Sequence, residues 1–278
     1  MRDAETEVAS HYTNDGLLAR LDAELRDDGV DPAHPTIDAL APYDQFHGRG
    51  LEATEELAAA LGPRAGDHVL DIGSGIGGPA RLMAARYGCR VTGIDLTPEF
   101  CAVARDLTAR LGLEDRVSFE NGSALAMPFA DAGFDAAYSM NVAMNIADKA
   151  GFYGEIFRVL RPGARLVLSE IARGSGPEVD YPTPWANSAR TSFLATPEGT
   201  RAGLVAAGFE NVRIDDKRAQ SAAYGARSRA LVEQGGKPLH RAIYIVHGAL
   251  AGTLIANSAR GIQEGRTLPI EVVCRRPG

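Results

Sequence analysis

Residues 69–78 read Val-Leu-Asp-Ile-Gly-Ser-Gly-Ile-Gly-Gly, and residues 91–96 read Val-Thr-Gly-Ile-Asp-Leu. Each stretch is an apolar run that ends in a carboxylate, and a glycine-rich loop follows the first. The two acidic residues, Asp71 and Asp95, are 24 positions apart (95 − 71). This pattern predicts a nucleoside-binding unit, because open parallel sheets bind ligands at the carboxyl ends of their strands.

The glycine loop predicts a close approach between backbone and ligand. Without side chains at Gly73, Gly75 and Gly77, the N–H groups at the start of the next helix can face a bound molecule. Together with Gly78, the spacing also fits the dinucleotide pattern, so an NAD-linked dehydrogenase is an alternative. Asp71 favours a ligand with an ammonium group, because its carboxylate would repel a pyrophosphate. S-adenosylmethionine carries such a group and is the predicted cofactor, with S-adenosylhomocysteine as product.

The same residues resemble the class I S-adenosylmethionine-dependent methyltransferases. The resemblance is carried by the Asp-x-Gly-x-Gly-x-Gly run at 71–77 and by the acidic strand end at Asp95. Residues 121–129 and 134–140 are similar to the third and fourth strand ends of that class. The resemblance to this class extends over roughly residues 40–215 and implies the doubly wound fold of the class.

Two short segments resemble a narrower group, the sarcosine/dimethylglycine N-methyltransferase-like branch. They are Tyr-Asp-Gln-Phe-His at 43–47 and Tyr-Pro-Thr-Pro-Trp-Ala at 181–186. This resemblance implies an amine nitrogen as the methyl acceptor. An O-methyltransferase of a small hydroxylated metabolite or natural product is an alternative. A protein that binds S-adenosylmethionine without methylating is another.

Strand and helix patterns alternate along most of the chain, which predicts an α/β fold with a parallel sheet. We expect a doubly wound, seven-stranded, mostly parallel sheet with N-terminal helices and a helical cap insertion. Residues 1–62 are predicted to form a helical lid segment, and 63–278 the cofactor-binding domain with an insertion at about 218–262. The predicted strands cover residues 68–72, 90–94, 116–120, 134–139, 164–170, 209–215 and 268–275.

Residues of the predicted cofactor site follow from the glycine loop, the strand ends and the resemblance. Asp71 is expected to meet the ammonium group, and Asp95 the ribose hydroxyls. Many enzymes of the class carry an Asp at the position of Ser123 that accepts from the adenine amino group. Here a hydroxyl or the backbone must do so. The full predicted set is Tyr43, Gln45, Asp71, Gly73, Ser74, Gly75, Gly77, Asp95, Leu96, Ser123, Ala124 and Met140.

The predicted acceptor site combines aromatic, amide and imidazole side chains. His47, Asn141 and Trp185 are the candidate catalytic residues, and His47 would serve as general base only if the acceptor were a hydroxyl. Aromatic faces tolerate a cationic amine product. The predicted substrate-binding residues are Phe46, Asn145, Tyr181, Trp185 and Arg190, with Arg49 as a second candidate cation for a substrate carboxylate.

Composition limits the class of partner. The net charge of −7 argues against nucleic acid as a partner. We identify no apolar run of about 20 residues, so no membrane span is expected. The three cysteines lack metal-ligand spacing, and no metal site is expected. These features predict a cytoplasmic protein, monomer or homodimer, that acts on a small molecule.

The charges are unevenly distributed along the chain. Residues 1–66 carry 5 basic and 14 acidic side chains, whereas residues 210–278 carry 11 and 6. Two interpretations follow: both ends present solvated charged faces, or the ends dock on each other over the site.

Overall fold

The structure, a computed structural model, describes residues 2–12 and 16–278, with side chains from residue 5 onward. A single sheet lies at the centre of the described residues. Its strands are β1 (His68–Ile72), β2 (Arg90–Asp95), β3 (Val117–Asn121), β4 (Phe134–Met140), β5 (Leu160–Arg173), β6 (Glu210–Asp216) and β7 (Thr267–Arg275). Their order is β3-β2-β1-β4-β5-β7-β6. Only β7 runs antiparallel to its neighbours among these strands. The predicted seven-stranded, mostly parallel sheet is confirmed.

Helices pack against both faces of the sheet. They are α1 (Arg2–Tyr12), α2 (Leu17–Asp27), α3 (Ile37–Asp44), α4 (Gly50–Leu61), α5 (Gly78–Tyr87), α6 (Pro98–Arg110), α7 (Lys149–Val159), α8 (Pro197–Ala206), α9 (Arg218–Glu233), α10 (Ala242–His247) and α11 (Ala251–Gln263). The last three form the insertion between β6 and β7. Strand β5 starts earlier than predicted, at Leu160, because the Arg-Pro-Gly segment at 161–163 continues the strand.

Alternation along β1 explains why a carboxylate ends a buried strand. Leu70 and Ile72 belong to the apolar cluster on one face of the sheet, and Val69 to the cluster on the other face. Successive side chains of a strand point to opposite faces, so Asp71 shares the face of Val69. Asp71 is 2% exposed. The strand therefore delivers an ionisable group into the interior at its carboxyl end.

Close packing around the loop after β1 requires glycine at two positions. Gly73 has a φ of 73°, and a Cβ there would lie 2.2 Å from Val142 Cγ2. Gly77 has a φ of 81°, and its Cβ would lie 2.4 Å from Phe119 Cζ. Both positive φ values are strained for residues with a side chain. The glycine-rich motif is thus a packing requirement as well as a binding feature.

The acidic N-terminal segment docks on the basic C-terminal segment. Lys217 of the insertion region lies 3.2 Å from Glu56 of α4, and Arg241 lies 2.8 Å from Asp28 after α2. Lys237 pairs with the same Asp28 at 2.7 Å. The two ends therefore dock on each other, but none of residues 210–278 lines the described pocket, so this docking does not place the C-terminal segment over the site.

One helical stretch differs from the expectation about apolar runs. Within the described residues, Ala242–Gln263 is 22 residues long and contains an 18-residue window with a mean hydropathy of 1.3, which is long and apolar enough to cross a membrane by length and composition alone. Gly, Ala, Ser and Asn interrupt its large apolar residues, so the stretch is not a continuous apolar run in the sequence. Its Ile245 and Val246 are buried with leucines of α2. Only 28% of its apolar window is buried, and Tyr244, Leu250 and Ile255 are exposed.

A buried ion pair joins the N-terminal helices to the helix after the glycine loop. Arg81 of α5 is fully buried, and its guanidinium lies 3.0 Å from Asp44 Oδ2 at the end of α3. Arg81 also donates to the Ala104 carbonyl and to Thr108, at 3.3 Å each. Because these partners come from two helices, Arg81 fixes α3 and α6 against α5.

Replacing Arg81 with Ala should lower the free energy of unfolding by about 3–5 kcal/mol, because it leaves the Asp44 carboxylate buried and unpaired. Urea denaturation followed by circular dichroism measures this. The matched control is Arg86→Ala on the same helix, whose partner Glu55 is exposed, with an expected loss below about 1 kcal/mol. Equal losses in the two variants would contradict the role given to Arg81.

Candidate functional site

A large pocket opens at the carboxyl ends of β1, β2 and β4. It encloses about 1230 Å³, including the part open to solvent. Its lining comes from the glycine loop, the strand ends, α1 and the segment before α4. The lining residues are Glu5, Val8, Tyr12, Asp44, Phe46, His47, Asp71, Gly73, Ser74, Gly75, Pro79, Ile94, Asp95, Leu96, Thr97, Phe100, Gly122, Ser123, Ala124, Leu125, Met140, Asn141, Val142, Asn145, Ile146, Ala147 and Asp148.

The glycine loop is tied to the end of β2. The N–H groups of Gly73 and Ser74 both donate to the Ile94 carbonyl, at 2.8 and 3.1 Å. The Asp95 carboxylate accepts from the N–H groups of Gly75 and Thr97, both at 2.8 Å. Burial raises the pKa of Asp95, while these N–H donors oppose the shift. The carboxylate is thus fixed at the point where β2 enters the pocket.

Two polar groups lie buried at the base of the pocket. Asp71 Oδ2 and Ser74 Oγ are buried and make no hydrogen bond of standard geometry with the described residues, and the buried Tyr138 hydroxyl on the paired strand is the polar group next to Asp71. Burial raises the pKa of Asp71 to about 7. Buried polar groups are normally hydrogen-bonded, and both residues line the pocket, so they are candidates for contact with a polar ligand.

His47 lies in the pocket wall within a hydrogen-bond chain. The Gln45 amide donates to Asp44, so its Oε1 accepts from the Thr54 hydroxyl at 2.6 Å. That hydroxyl lies 3.0 Å from His47 Nε2, and His47 Nδ1 lies 3.3 Å from the Gly48 carbonyl, so both ring nitrogens are engaged within the protein. Burial, and next the charge of His240, lower the pKa of His47 to about 3. His47 is neutral at ordinary pH and a weak base.

An aromatic wall faces the glycine loop. Phe46 and Phe100 meet edge to face with ring centroids 5.2 Å apart. Tyr12 of α1 continues the wall, 6.1 Å from Phe100. Phe46 also lies 3.4 Å from the Cβ position of Gly75. The wall therefore joins the N-terminal helices to the loop at the centre of the pocket.

Asn145 connects three segments at the edge of the pocket. Its amide nitrogen donates to the carbonyls of Trp185 and Thr191, at 2.7 and 3.0 Å. Its amide oxygen accepts from the Tyr12 hydroxyl at 3.1 Å. Glu170 holds the preceding turn, since its carboxylate accepts from the N–H of Ala143 at 3.1 Å. All hydrogen-bonding atoms of Asn145 are engaged in position-holding contacts.

Most residues predicted for the site do line this pocket. The structure brings together His47, Asn141, Asp71, Gly73, Ser74, Gly75, Asp95, Leu96, Ser123, Ala124, Met140, Phe46 and Asn145. They come from five parts of the chain that meet only in the folded protein.

Tyr43, Gln45 and Gly77 lie outside the pocket lining, unlike the expectation that placed them against the cofactor. The Tyr43 hydroxyl donates to Asp28 at 2.6 Å, which turns the ring into the packing between α2 and α3. The side-chain amide of Gln45 donates to Asp44 and accepts from the Thr54 hydroxyl. Gly77 is the N-cap residue of α5 and packs closely against Phe119. Their contacts are internal ones.

Trp185, Tyr181 and Arg190 also lie outside the pocket lining. Trp185 is 3% exposed, packs with Met144, and donates from its indole to Ser192 at 2.9 Å. Tyr181 packs against the same cluster. The Arg190 side chain is 78% exposed and lies 3.1 Å from Glu7. The structure thus places the loop after β5 behind Asn145, which separates these side chains from the pocket.

Sequence reasoning missed the residues that α1 and α6 contribute. Glu5, Val8 and Tyr12 lie on one face of α1, and Phe100 on α6. The only available signal was their spacing of three and four residues, which is typical of a helix face that contacts the rest of a protein. Nothing in that spacing indicated which surface the face would cover.

Charge in the pocket is of one sign. Five of the lining residues are acidic, and no Lys or Arg is among the described lining residues. Arg49, the second candidate for binding a substrate carboxylate, is instead paired with Glu56 through two bonds of 2.7 and 2.8 Å. The pocket therefore suits neutral or cationic groups.

Comparison with known proteins finds a family that the central segment resembles. Residues 70–168 match the family described as a methyltransferase domain. The matched segment contains the glycine loop, the acidic end of β2 and the wall after β4.

Curated relatives share the central segment. A methyltransferase named GfsG from Streptomyces halstedii is 36% identical over 168 residues, which cover 59% of this chain and 58% of the relative. An O-methyltransferase named cnsE from Penicillium expansum is 35% identical over 135 residues, 49% of this chain and 47% of the relative. The chain spans roughly half the length of these relatives.

Solved structures show the same fold at low identity. Geranyl diphosphate C-methyltransferase from Streptomyces coelicolor superposes with a TM-score of 0.70 over 98% of both chains, at 18% identity. Phosphoethanolamine N-methyltransferase 2 from Haemonchus contortus gives 0.71 over 87% of this chain and 58% of that one, at 20% identity. A candidate sarcosine dimethylglycine methyltransferase from Galdieria sulphuraria gives 0.65 over 82% and 86%, at 18% identity. Nitrogen and carbon acceptors therefore occur on this fold.

Replacing Asp71 with Asn should make stability less sensitive to pH. The folded pKa of about 7 lies above the ordinary value, so the folded state binds the extra proton and wild-type stability falls as pH rises from about 4 to about 7. Relative to the variant, the wild type should lose roughly 2–4 kcal/mol across that range. Urea denaturation at several pH values measures this.

The matched control is the exposed residue Glu114. Glu114→Gln should follow the wild-type pH curve, and Glu170, also raised to a pKa of about 7, is present in all three proteins and cancels. Parallel curves for the wild type and Asp71→Asn would contradict the buried state of this carboxyl.

Proposed function

We propose that this protein transfers the methyl group of S-adenosylmethionine to a small-molecule acceptor, most simply an amine nitrogen. The single observation that carries the proposal is the buried Asp71 carboxylate beside the glycine loop, with the fixed Asp95 carboxylate on the next strand. When bound, the cofactor supplies an electrophilic methyl on a sulfonium. The chain supplies binding, orientation and the exclusion of water.

Strand order supports this arrangement of the cofactor. Strand β1 lies between β2 and β4, and β3 lies outside β2. Asp71 would accept from the ammonium group, Gly73 and Gly75 would face the chain that links it to the sugar, and Asp95 would accept from the ribose hydroxyls. The base would then lie beside Ser123 at the end of β3. Each group of the cofactor thus has a matching residue at successive strand ends.

The basicity of the pocket supports an amine over a hydroxyl acceptor. A hydroxyl needs a base within hydrogen-bond reach, whereas a neutral amine reacts through its own lone pair. His47, the candidate base, has a pKa lowered to about 3 and directs Nε2 at Thr54. The aromatic wall of Tyr12, Phe46 and Phe100 would stabilise the cationic product.

The absence of basic residues among the described lining residues narrows the acceptor further. Sarcosine and dimethylglycine carry a carboxylate, which needs a cation such as Arg. Arg190 and Arg49 are both engaged elsewhere, with Glu7 and Glu56. We therefore propose an amine without an anionic group, with residues 1–62 acting as the lid over it.

Acceptor panels test the proposal directly. The purified protein is incubated with S-adenosylmethionine and, separately, with an apolar amine series, a phenol series and sarcosine. Amine-dependent release of S-adenosylhomocysteine, with a product heavier by one methylene, is expected. Release that depends only on phenols would favour the O-methyltransferase alternative. Binding without acceptor-dependent release from any series would favour a protein that does not methylate.

Two variants sharpen that test. His47→Ala should leave amine methylation within about threefold of wild type, because no base is required, whereas loss of roughly 100-fold or more would assign it a base role. Asp95→Asn should weaken S-adenosylhomocysteine binding about 10- to 100-fold by calorimetry, because a charged acceptor is lost. The exposed Asp115→Asn is the control. An unchanged dissociation constant in Asp95→Asn would refute the cofactor assignment.

A further inference from the structure

Glu5 of α1 reaches the outer end of the pocket, where β3 ends. The Ser123 hydroxyl donates to its carboxylate, and both residues line the pocket. Val8 and Tyr12 lie on the same helix face and line the pocket as well. A carboxylate has therefore been brought from a helix 118 positions away in sequence to the end of the site.

Ser123 by itself has little capacity left for a ligand. Its hydroxyl proton goes to Glu5, and its oxygen accepts from the Leu125 N–H at 3.1 Å. An adenine base presents an exocyclic amino group, which is a hydrogen-bond donor and needs an acceptor. The carboxylate of Glu5 offers two oxygens, of which Ser123 occupies one.

The other carboxylates of the pocket have different tasks. Asp44 is paired with Arg81, and Asp95 holds the glycine loop. Asp148 accepts from the Gly151 N–H at 2.8 Å and caps α7. Asp71 lies at the end of β1, two strands away from β3. Among the described lining residues, Glu5 is the carboxylate at the end of β3.

We propose that Glu5 accepts the hydrogen bond from the adenine amino group of the cofactor, so that α1 supplies the acceptor that the loop after β3 lacks. The inference rests on the proposed cofactor. It makes base recognition depend on α1 being seated, since Glu5 reaches the base only in that position. The same helix carries Tyr12, which belongs to the aromatic wall and donates to Asn145. Recognition of the adenine and completion of the aromatic wall therefore depend on one helix.

The test compares two ligands by calorimetry: S-adenosylhomocysteine and its 6-oxo analogue, S-inosylhomocysteine. The oxo group is an acceptor and would face the Glu5 carboxylate unfavourably. Wild type should prefer the adenine form by roughly 10- to 100-fold. Glu5→Ala should reduce this preference to about threefold or less. Glu5→Gln should bring the two affinities together or reverse them, because its amide can donate to the oxo group.

A rescue and a control separate base recognition from general damage. Glu5→Ala combined with Ser123→Asp should restore the preference, because the carboxylate then comes from the loop itself. Glu7→Gln, on the same helix but paired with Arg190 at the surface, should keep the wild-type ratio.

Each remaining outcome has one meaning. A wild-type ratio in both Glu5 variants would overturn the role of Glu5 while leaving the proposed function in place. Failure of wild type to bind either ligand would overturn the proposed cofactor, and the inference with it. A preference lost in Glu5→Ala but not restored by Ser123→Asp would also count against the inference, since it would point to displacement of α1 rather than to a missing acceptor.

Discussion

The attachment of the glycine loop to the end of β2 is the constraint on which the site depends. Two successive N–H groups of the loop donate to the Ile94 carbonyl, and a third donates to Asp95. Because β1 and β2 pair in parallel with Asp71 opposite Gly93, Asp95 lies two positions beyond the partner of Asp71, at the same edge of the sheet. Side chains at the glycine positions would separate the loop from Val142 and Phe119. The pocket, the start of α5 and the wall after β4 all follow from that closeness.

The sequence predicts what local periodicity and strand ends determine. Apolar runs ending in Asp71 and Asp95 locate the sheet, the loop and the nucleoside side of the pocket, since parallel strands end at a common edge. The contribution of α1 depends on a contact between segments more than a hundred positions apart, and no local pattern encodes it. Trp185 was expected in the acceptor wall by its position after β5. Its indole is drawn away by Ser192 and Met144.

Electrostatics explains which ligands the pocket can accept. Burial raises the pKa values of Asp71 and Asp95, so a cationic group beside them would stabilise their charged forms. The basic residues of the C-terminal region are used instead on the acidic N-terminal helices, as Lys217 and Arg241 show. This division leaves the described pocket wall without positive charge. The docking of the two ends and the character of the pocket are therefore two results of one distribution of charge.

Trp185 is the single tryptophan of the chain. Its backbone carbonyl accepts from the side-chain amide of Asn145, and the oxygen of the same amide accepts from the Tyr12 hydroxyl. The indole itself is shielded from water and fixed by Ser192. A displacement of α1 would therefore change the hydrogen bonds that hold the backbone of Trp185. The molecule thus contains its own optical probe, whose emission reports on a distant helix without an attached dye.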